Sequence, residues 1–414
     1  MVAIALRARG RLAASPLLAP LAAPGFRLYW TGNAVSQAGD QFQIVALAIL
    51  ALDLTGSAAV LGAVLTAQAI PRTLLMLVGG VAIDRLRPRT VLLASSALQT
   101  LVVTLLAGLA ASGQLALWHL YVYGVLAGAC LAFSIPAGQA MVTDLLPRDE
   151  VRGGTALINT TFNLTMFLAP PLAGIAVAAI GPVPAFTFNA ASFAVAFACL
   201  VFVEARDLPP KPPGESALAQ LREGFAVTWR DSALLVAVLC GTIYSLGFQG
   251  VALVGVPALA KLALDGGSGG VGVLFGARGA GALLGLVAGG ALRTGGIGLF
   301  AGLTLTATGV ALASVGLAPT LVVAAALLFV ASAAQANAAV SFITIVQTRA
   351  PAAVRGRVTA LFMLGVMGLA PLSLSFGGLM ADALGPRGVF LTGGALVAAS
   401  GCFALANRTF RAAA

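Results

Sequence analysis

Of the 414 residues in this chain, 60% are hydrophobic and 9% are charged, against about 25% charged and about 45–50% apolar in a soluble domain. A water-soluble globule of this size cannot hide so much apolar surface, because much of its exterior must face solvent. A soluble enzyme, a disordered chain and, despite the net charge of +10, a nucleic-acid binder are excluded, since the basic residues sit in short breaks between apolar runs rather than in one patch.

The chain opens with a tail, residues 1–27. Arg7, Arg9 and Arg11 precede a Leu/Ala/Pro run broken by Pro16, Pro20 and Pro24. This faintly resembles a cleavable signal, but the span that follows can itself direct insertion, and a cytoplasmic tail is expected. A helix needs about 20 mostly apolar residues to cross the hydrocarbon layer. Twelve runs qualify: roughly 28–52, 58–81, 90–111, 116–142, 153–180, 182–203, 232–260, 268–291, 296–316, 319–347, 356–382 and 387–407. They are too long and too continuously apolar for β-barrel strands. The expected fold is therefore an all-α integral membrane protein of 12 transmembrane helices.

Residues 204–231 divide the chain almost in half. Pro209, Pro210, Pro212 and Pro213 open this connector, and Leu218, Leu221, Phe225 and Trp229 then share one helical face suited to the inner membrane surface. The expected organisation is a six-helix bundle over 28–203, a cytoplasmic connector, a second six-helix bundle over 232–407 and a short cytoplasmic tail, 408–414. With both termini cytoplasmic, nineteen Lys and Arg fall on the inner side, while Lys261 and Arg387 fall on the outer side. Arg72 and Arg278 lie within spans. That asymmetry sets the orientation and supports the span count.

The four cysteines (Cys130, Cys199, Cys240 and Cys402) lie far apart in apolar runs, and His119 is the single histidine. No metal site is expected from them. Gly281, Gly285 and Gly289, spaced by four, suit close helix packing in lipid.

The halves echo each other. A shift of 204 residues places Pro147 on Pro351, Thr155-Ala156-Leu157 on Thr359-Ala360-Leu361, Gly174 on Gly378 and Gly181-Pro182 on Gly385-Pro386. With an even number of spans per copy, the copies share one orientation, as in transporters built from parallel repeats.

After the second span comes Gly79-Gly80-Val81-Ala82-Ile83-Asp84-Arg85-Leu86-Arg87-Pro88-Arg89. This resembles the signature loop of the major facilitator superfamily, with Arg87 and Pro88 replacing the usual Gly and Arg before the last basic residue. The resemblance implies two six-helix bundles related by a pseudo-twofold axis, and a conformational latch formed by Gly80, Asp84, Arg85 and Arg89. Ser36-Gln37-Ala38-Gly39-Asp40, Leu54-Thr55-Gly56-Ser57-Ala58 and Val354-Arg355-Gly356-Arg357-Val358 resemble the bacterial exporter branch that includes siderophore and macrolide efflux proteins. Two departures stand out. Only Pro170 and Gly174 match the Gly-Pro motif of the superfamily's drug antiporters, and no arginine occurs between Tyr121 and Gly138 in the fourth span. Proton coupling must then rest on other residues.

Ionisable residues inside a span are costly and usually face a cavity or a partner. Asn33, Gln37, Asp40 and Gln41 follow the helical period onto one face of the first span, which in the resembling fold lines the central cavity. Asp40 is the candidate proton carrier or cation contact, since a carboxylate in a partly dry cavity can exchange a proton near neutral pH; a local structural role is the alternative. Arg72 stands about 12 Å from Gly80 at the inner end of its span and can pair with Asp40. Arg278 has only Asp382 as an acidic neighbour within its half's spans, and can answer Asp40 or bind an anionic substrate group. Asn159 and Asn163 share a face of the fifth span, Thr242, Ser245 and Gln249 one of the seventh, and Gln335, Asn337 and Ser341 mark the tenth. Such polar groups serve either substrate binding or interhelical adhesion. Tyr244, Phe248 and Phe133 offer apolar contact to a bulky substrate.

The expected function is proton-coupled efflux of a small organic compound, drug-like or siderophore-like, by alternating access in the cell membrane. Import of a small metabolite on the same fold is the alternative, and a lipid-modifying membrane enzyme a further one. No phosphate-binding loop ending Gly-Lys-Ser/Thr occurs, and the spans hold no paired carboxylates or nucleophile with a base. No enzyme activity and no cofactor are expected; the expected partners are a small-molecule substrate, protons and the bilayer, with no nucleic acid, for a monomer.

Overall fold

The computed structural model describes residues 18–83, 87–204, 217–291 and 296–413. Among these the regular structure is helical throughout, as lipid demands of a chain whose backbone polar groups must be satisfied within the segment. The helices are α1 Pro24–Thr55, α2 Ala58–Ile83, α3 Pro88–Ala111, α4 Leu117–Leu145, α5 Val151–Ile180, α6 Val183–Val201, α7 Ala217–Arg230, α8 Ser232–Ala263, α9 Gly267–Ala291, α10 Ile297–Gly316, α11 Leu321–Arg349, α12 Arg355–Gly368, α13 Ala370–Ala406 and the short α14 Arg408–Arg411. Eleven continuous helical stretches are long and apolar enough to cross a membrane. The last of them, Arg355–Ala406, is broken at Gly385, so it supplies two spans and the chain twelve.

The internal echo holds at the level of elements. Helices α4 and α11 each contain 29 residues and begin and end one repeat length apart, at Leu117 and Leu321 and at Leu145 and Arg349. Helices α5 and α12 start at Val151 and Arg355 with the same offset. Gly181 and Gly385 both adopt a positive φ, 81° and 76°, with extended ψ. That backbone geometry is open to glycine alone, and the Pro182 or Pro386 that follows starts the next helix with its φ preset.

The chain forms two compact units. The first comprises residues 1–46 with 70–213, and the second 47–69 with 214–414. In the first, Phe26, Tyr29, Met141, Leu146, Leu157 and Leu200 pack as a core, Tyr29 donates to the Gly138 carbonyl at 3.1 Å and Trp30 Nε1 to Thr161 Oγ1 at 3.0 Å. Arg89 donates to the carbonyls of Leu200 and Val201, closing the C-terminal end of α6.

Residues 47–69 join the second unit for identifiable reasons. Asp382 caps α2, accepting from the backbone of Ala58 at 2.9 Å and Ala59 at 3.2 Å and from Ser57 Oγ at 2.5 Å. Gly62 lies against the backbone of Leu374 and Gly378, and Thr66 shares a 2.8 Å hydrogen bond with Ser375. Lys261 pairs with Asp53.

Within the second unit α8 changes pitch, running π-helical over Val251–Gly255 and Leu259–Ala263. Gly250 N–H donates to Ser373 Oγ at 2.9 Å, and that hydroxyl donates to the Leu246 carbonyl at 2.7 Å. Helix α7 rests on α12 through a Glu223–Arg357 ion pair and Gly224 against the Arg357 backbone. Phe225 and Trp229 stack 5.6 Å apart and stay exposed, as an interfacial helix requires. Gly281, Gly285 and Gly289 seat α9 on α11: a methyl group at each would strike the backbone of Phe329, the backbone of Ala333 or the side chain of Asn337.

Gly285→Val should therefore cost about 1–3 kcal/mol by overpacking and lower the melting midpoint in detergent. Gly108→Ala is the control, since nothing lies within 4 Å of the added carbon and alanine is the better helix former by about 1 kcal/mol. Its midpoint should hold or rise.

Candidate functional site

Two polar clusters stand inside the spans, one in each unit. The first is built around α1. Gly39 carries no side chain, and the space a methyl group would take is filled by the side chains of Asn189 and Ser192 on α6. That close approach lets Asn189 reach the next turn of α1, where its side chain lies beside Asp40 and donates through Nδ2 to Gln43 Oε1. Its own carbonyl oxygen accepts from Ser192 Oγ at 2.9 Å. Tyr123 on α4 lies beside Gln43 and Asp40, and Gln43 Nε2 is buried without a hydrogen-bond partner among the described residues. Gln43, Asn189 and Ser192 are 1–2% exposed, so their bonds are formed out of contact with solvent, where an unsatisfied amide is expensive.

The neighbours of Asp40 come from α4 and α6 rather than from its own face. Asp40 and Gln43 lie three residues apart on the side of α1 turned to α6. Gln41 is buried, and the Gln37 side-chain oxygen is buried without a hydrogen-bond partner among the described residues. Asn33 is half-buried, while Asn159 and Asn163 share an exposed face of α5. Arg72 is half-buried on α2, and no ion pair joins it to Asp40 among the described residues.

The second cluster lies among α8, α9 and α11. Tyr244 and Phe248, one turn apart on α8, stack with ring centroids 4.9 Å apart and planes inclined by 24°. The Arg278 guanidinium of α9 lies over the Phe248 ring, 5.4 Å from its centroid, in cation–π range. Gln335 of α11 lies beside Tyr244. Gln249 is half-buried beside this group in sequence, with no side-chain hydrogen bond among the described residues.

Other candidates are committed elsewhere. Asn337 donates to the Gly285 carbonyl at 2.8 Å and the Ala333 carbonyl at 2.9 Å, clasping α9 to α11. Ser245 donates to the Val366 carbonyl and Thr242 to that of Val238. Phe133 packs against the core of the first unit. Asp382 caps α2 and is not the counter-charge of Arg278. Of the signature loop, Arg89 closes α6, Gly80 falls in the last turn of α2, and Asp84 and Arg85 lie outside the described residues. His119 Nδ1 accepts from the backbone of Ala116 at the start of α4, and the four cysteines are free thiols. Sequence reasoning passed over Gln43, Tyr123, Asn189 and Ser192. Their signal was faint: Asn189 and Ser192 stand three residues apart in an apolar span, as Asp40 and Gln43 do.

Comparison with known proteins supplies a frame. The family described as transmembrane secretion effector matches residues 14–412. A multidrug efflux pump, Tap, of Mycolicibacterium fortuitum is 29% identical over 206 residues, 48% of this chain and 50% of that protein. The chain therefore spans about half the length of the curated relatives it matches. The nucleoside transporter NupG has the same fold, with a TM-score of 0.74 at 12% identity over 92% of this chain and 99% of that one. So does a bacterial homologue of the iron transporter ferroportin in its inward-facing state, at 0.68 and 17% over 92% and 98%.

Asn189→Leu should strand both Gln43 and Asp40 and cost about 1–3 kcal/mol, read as a lower unfolding midpoint in detergent. Ser192→Ala, which removes a single bond to Asn189, should cost about 1 kcal/mol. The reverse order would show that Asn189 does not hold the cluster together.

Proposed function

The chain belongs to the transmembrane secretion effector family of the major facilitator superfamily, and from that premise we propose that it is a proton-coupled exporter of a small organic compound, working by alternating access. The observation that carries this reading is Asp40, a carboxylate inside a span whose hydrogen-bonding depends on its protonation. Ionised, it is acceptor-only and holds the Asn189 amide through a charge-assisted bond. Once protonated it carries a donor of its own and loses that charge, so its hold on Asn189 weakens. Because Asn189 also binds Gln43 and, through Ser192, its own helix, a proton gained or lost at Asp40 changes how firmly α1 is held to α6. A helix pair with a firm and a loose state gives a proton something to bias.

In this reading the protein is a monomeric transporter of the cell membrane and not an enzyme. Its termini face the cytoplasm, as the inner-side excess of Lys and Arg favours, and its halves are six-helix bundles over 28–203 and 232–407. The multidrug efflux relative supports export, and the substrate is a drug-like or siderophore-like small molecule. The exposed amides Asn159 and Asn163, together with Asn33 and Gln37, supply hydrogen-bonding groups for it.

Inverted membrane vesicles offered a panel of drugs and siderophores should accumulate at least one compound only when a pH gradient is imposed. Asp40→Asn, which preserves shape but cannot titrate, should abolish that accumulation while leaving gradient-independent counterflow exchange intact. Undiminished gradient-driven accumulation in the variant would remove Asp40 from the coupling role.

A further inference from the structure

Arg278 is a cation within a membrane-spanning helix, and a charge in that position ordinarily meets a counter-charge or backbone acceptors. Its guanidinium presents five N–H donors, yet among the described residues it makes no hydrogen bond and no ion pair. The acids described in its unit are placed elsewhere. Asp53 pairs with Lys261, Glu223 with Arg357 and Asp231 with Arg349, while Asp382 caps α2. Asp265 is exposed in the turn before α9, 13 residues along the chain from Arg278, which is about 20 Å along a helix. What Arg278 does have is a position. Phe248 lies beneath the guanidinium at 5.4 Å, Tyr244 stacks on Phe248, and Gln335 lies beside Tyr244. Arg278 and Tyr244 are each half-buried.

We propose that Arg278, Tyr244, Phe248 and Gln335 form a subsite for the carboxylate of a planar aromatic anion, an assignment that deepens the transporter reading above and rests on it. The cation–π contact places the guanidinium over Phe248, and its unclaimed donors can make the bidentate bonds that suit a carboxylate. The stacked rings of Phe248 and Tyr244 offer an apolar face to the aromatic body attached to that carboxylate. Gln335, beside Tyr244, adds an amide at the edge of that face. The transported compound would carry a negative charge in this unit, while proton coupling stays with Asp40 in the other.

The test compares 2-naphthoate with 2-naphthamide, which share shape and differ in charge, by equilibrium binding to the full-length protein in detergent. The wild type should bind the acid at least about tenfold more tightly, as expected when a charged acceptor is replaced by a neutral one. Arg278→Gln should bring the two affinities together by weakening the acid alone. Arg278→Lys, which keeps the charge but loses the planar fork, should retain part of the preference and guards against misfolding of the first variant. Equal binding of acid and amide by the wild type, no measurable binding of either, or a preference that survives Arg278→Gln would each overturn the assignment. Binding in detergent needs no gradient. Discrimination there with no gradient-driven flux in vesicles would count against the transporter reading alone, whereas gradient-driven flux unaffected by Arg278→Gln would count against this subsite alone.

Discussion

A polar group placed in the hydrocarbon layer has no water to fall back on, so each one must be satisfied by the protein or stand open to whatever occupies the site. Asn189 shows the first outcome: one side-chain amide serves Asp40, Gln43 and Ser192 together, drawing α6 onto α1. Ser373 does the same for a backbone, taking the Gly250 N–H where α8 departs from regular pitch. Helix ends follow suit. Asp231 accepts from Ala233 and Leu234 at the start of α8, Asp382 caps α2, and Arg89 covers the last carbonyls of α6.

These bonds depend on close approach, and glycine supplies it. Gly39 admits Asn189 and Ser192, Gly250 meets Gly377 backbone to backbone, and Gly281 and Gly285 seat α9 on α11. In lipid there is little hydrophobic force between helices, so contact area and interhelical hydrogen bonds carry the association. Packing and polar satisfaction are therefore one constraint here: filling a glycine would both separate two helices and strand the groups that bridge them.

Asp40 and Arg278 answer this constraint in opposite ways. Asp40 is surrounded by groups that respond to its charge, which suits a residue that changes protonation during a cycle. Arg278 keeps its charge under all ordinary conditions and rests on an aromatic ring with its donors unclaimed, which suits recognition. The two stand in different units of the chain, so in the proposed reading coupling and recognition fall to separate groups of residues.

Much was legible in the residues alone. The number and length of the spans follow from apolar runs, because crossing a hydrocarbon layer needs a set length of helix. The repeat is equally local: Gly181-Pro182 and Gly385-Pro386 dictate the same break wherever they occur, since only glycine takes that backbone and proline starts the helix after it. That Asp40, Arg72 and Arg278 are unusual was also plain from their place in those runs. What tertiary structure alone decided is which neighbour each polar residue meets. A helical period gives the face on its own helix, but not the helix opposite. Asp40 therefore found Asn189 across α6 rather than Arg72, Asn337 turned to the Gly285 carbonyl, and Asp382 went to the first turn of α2 instead of Arg278. Those pairings join residues far apart in the chain, and they form only where packed glycines let the backbones close.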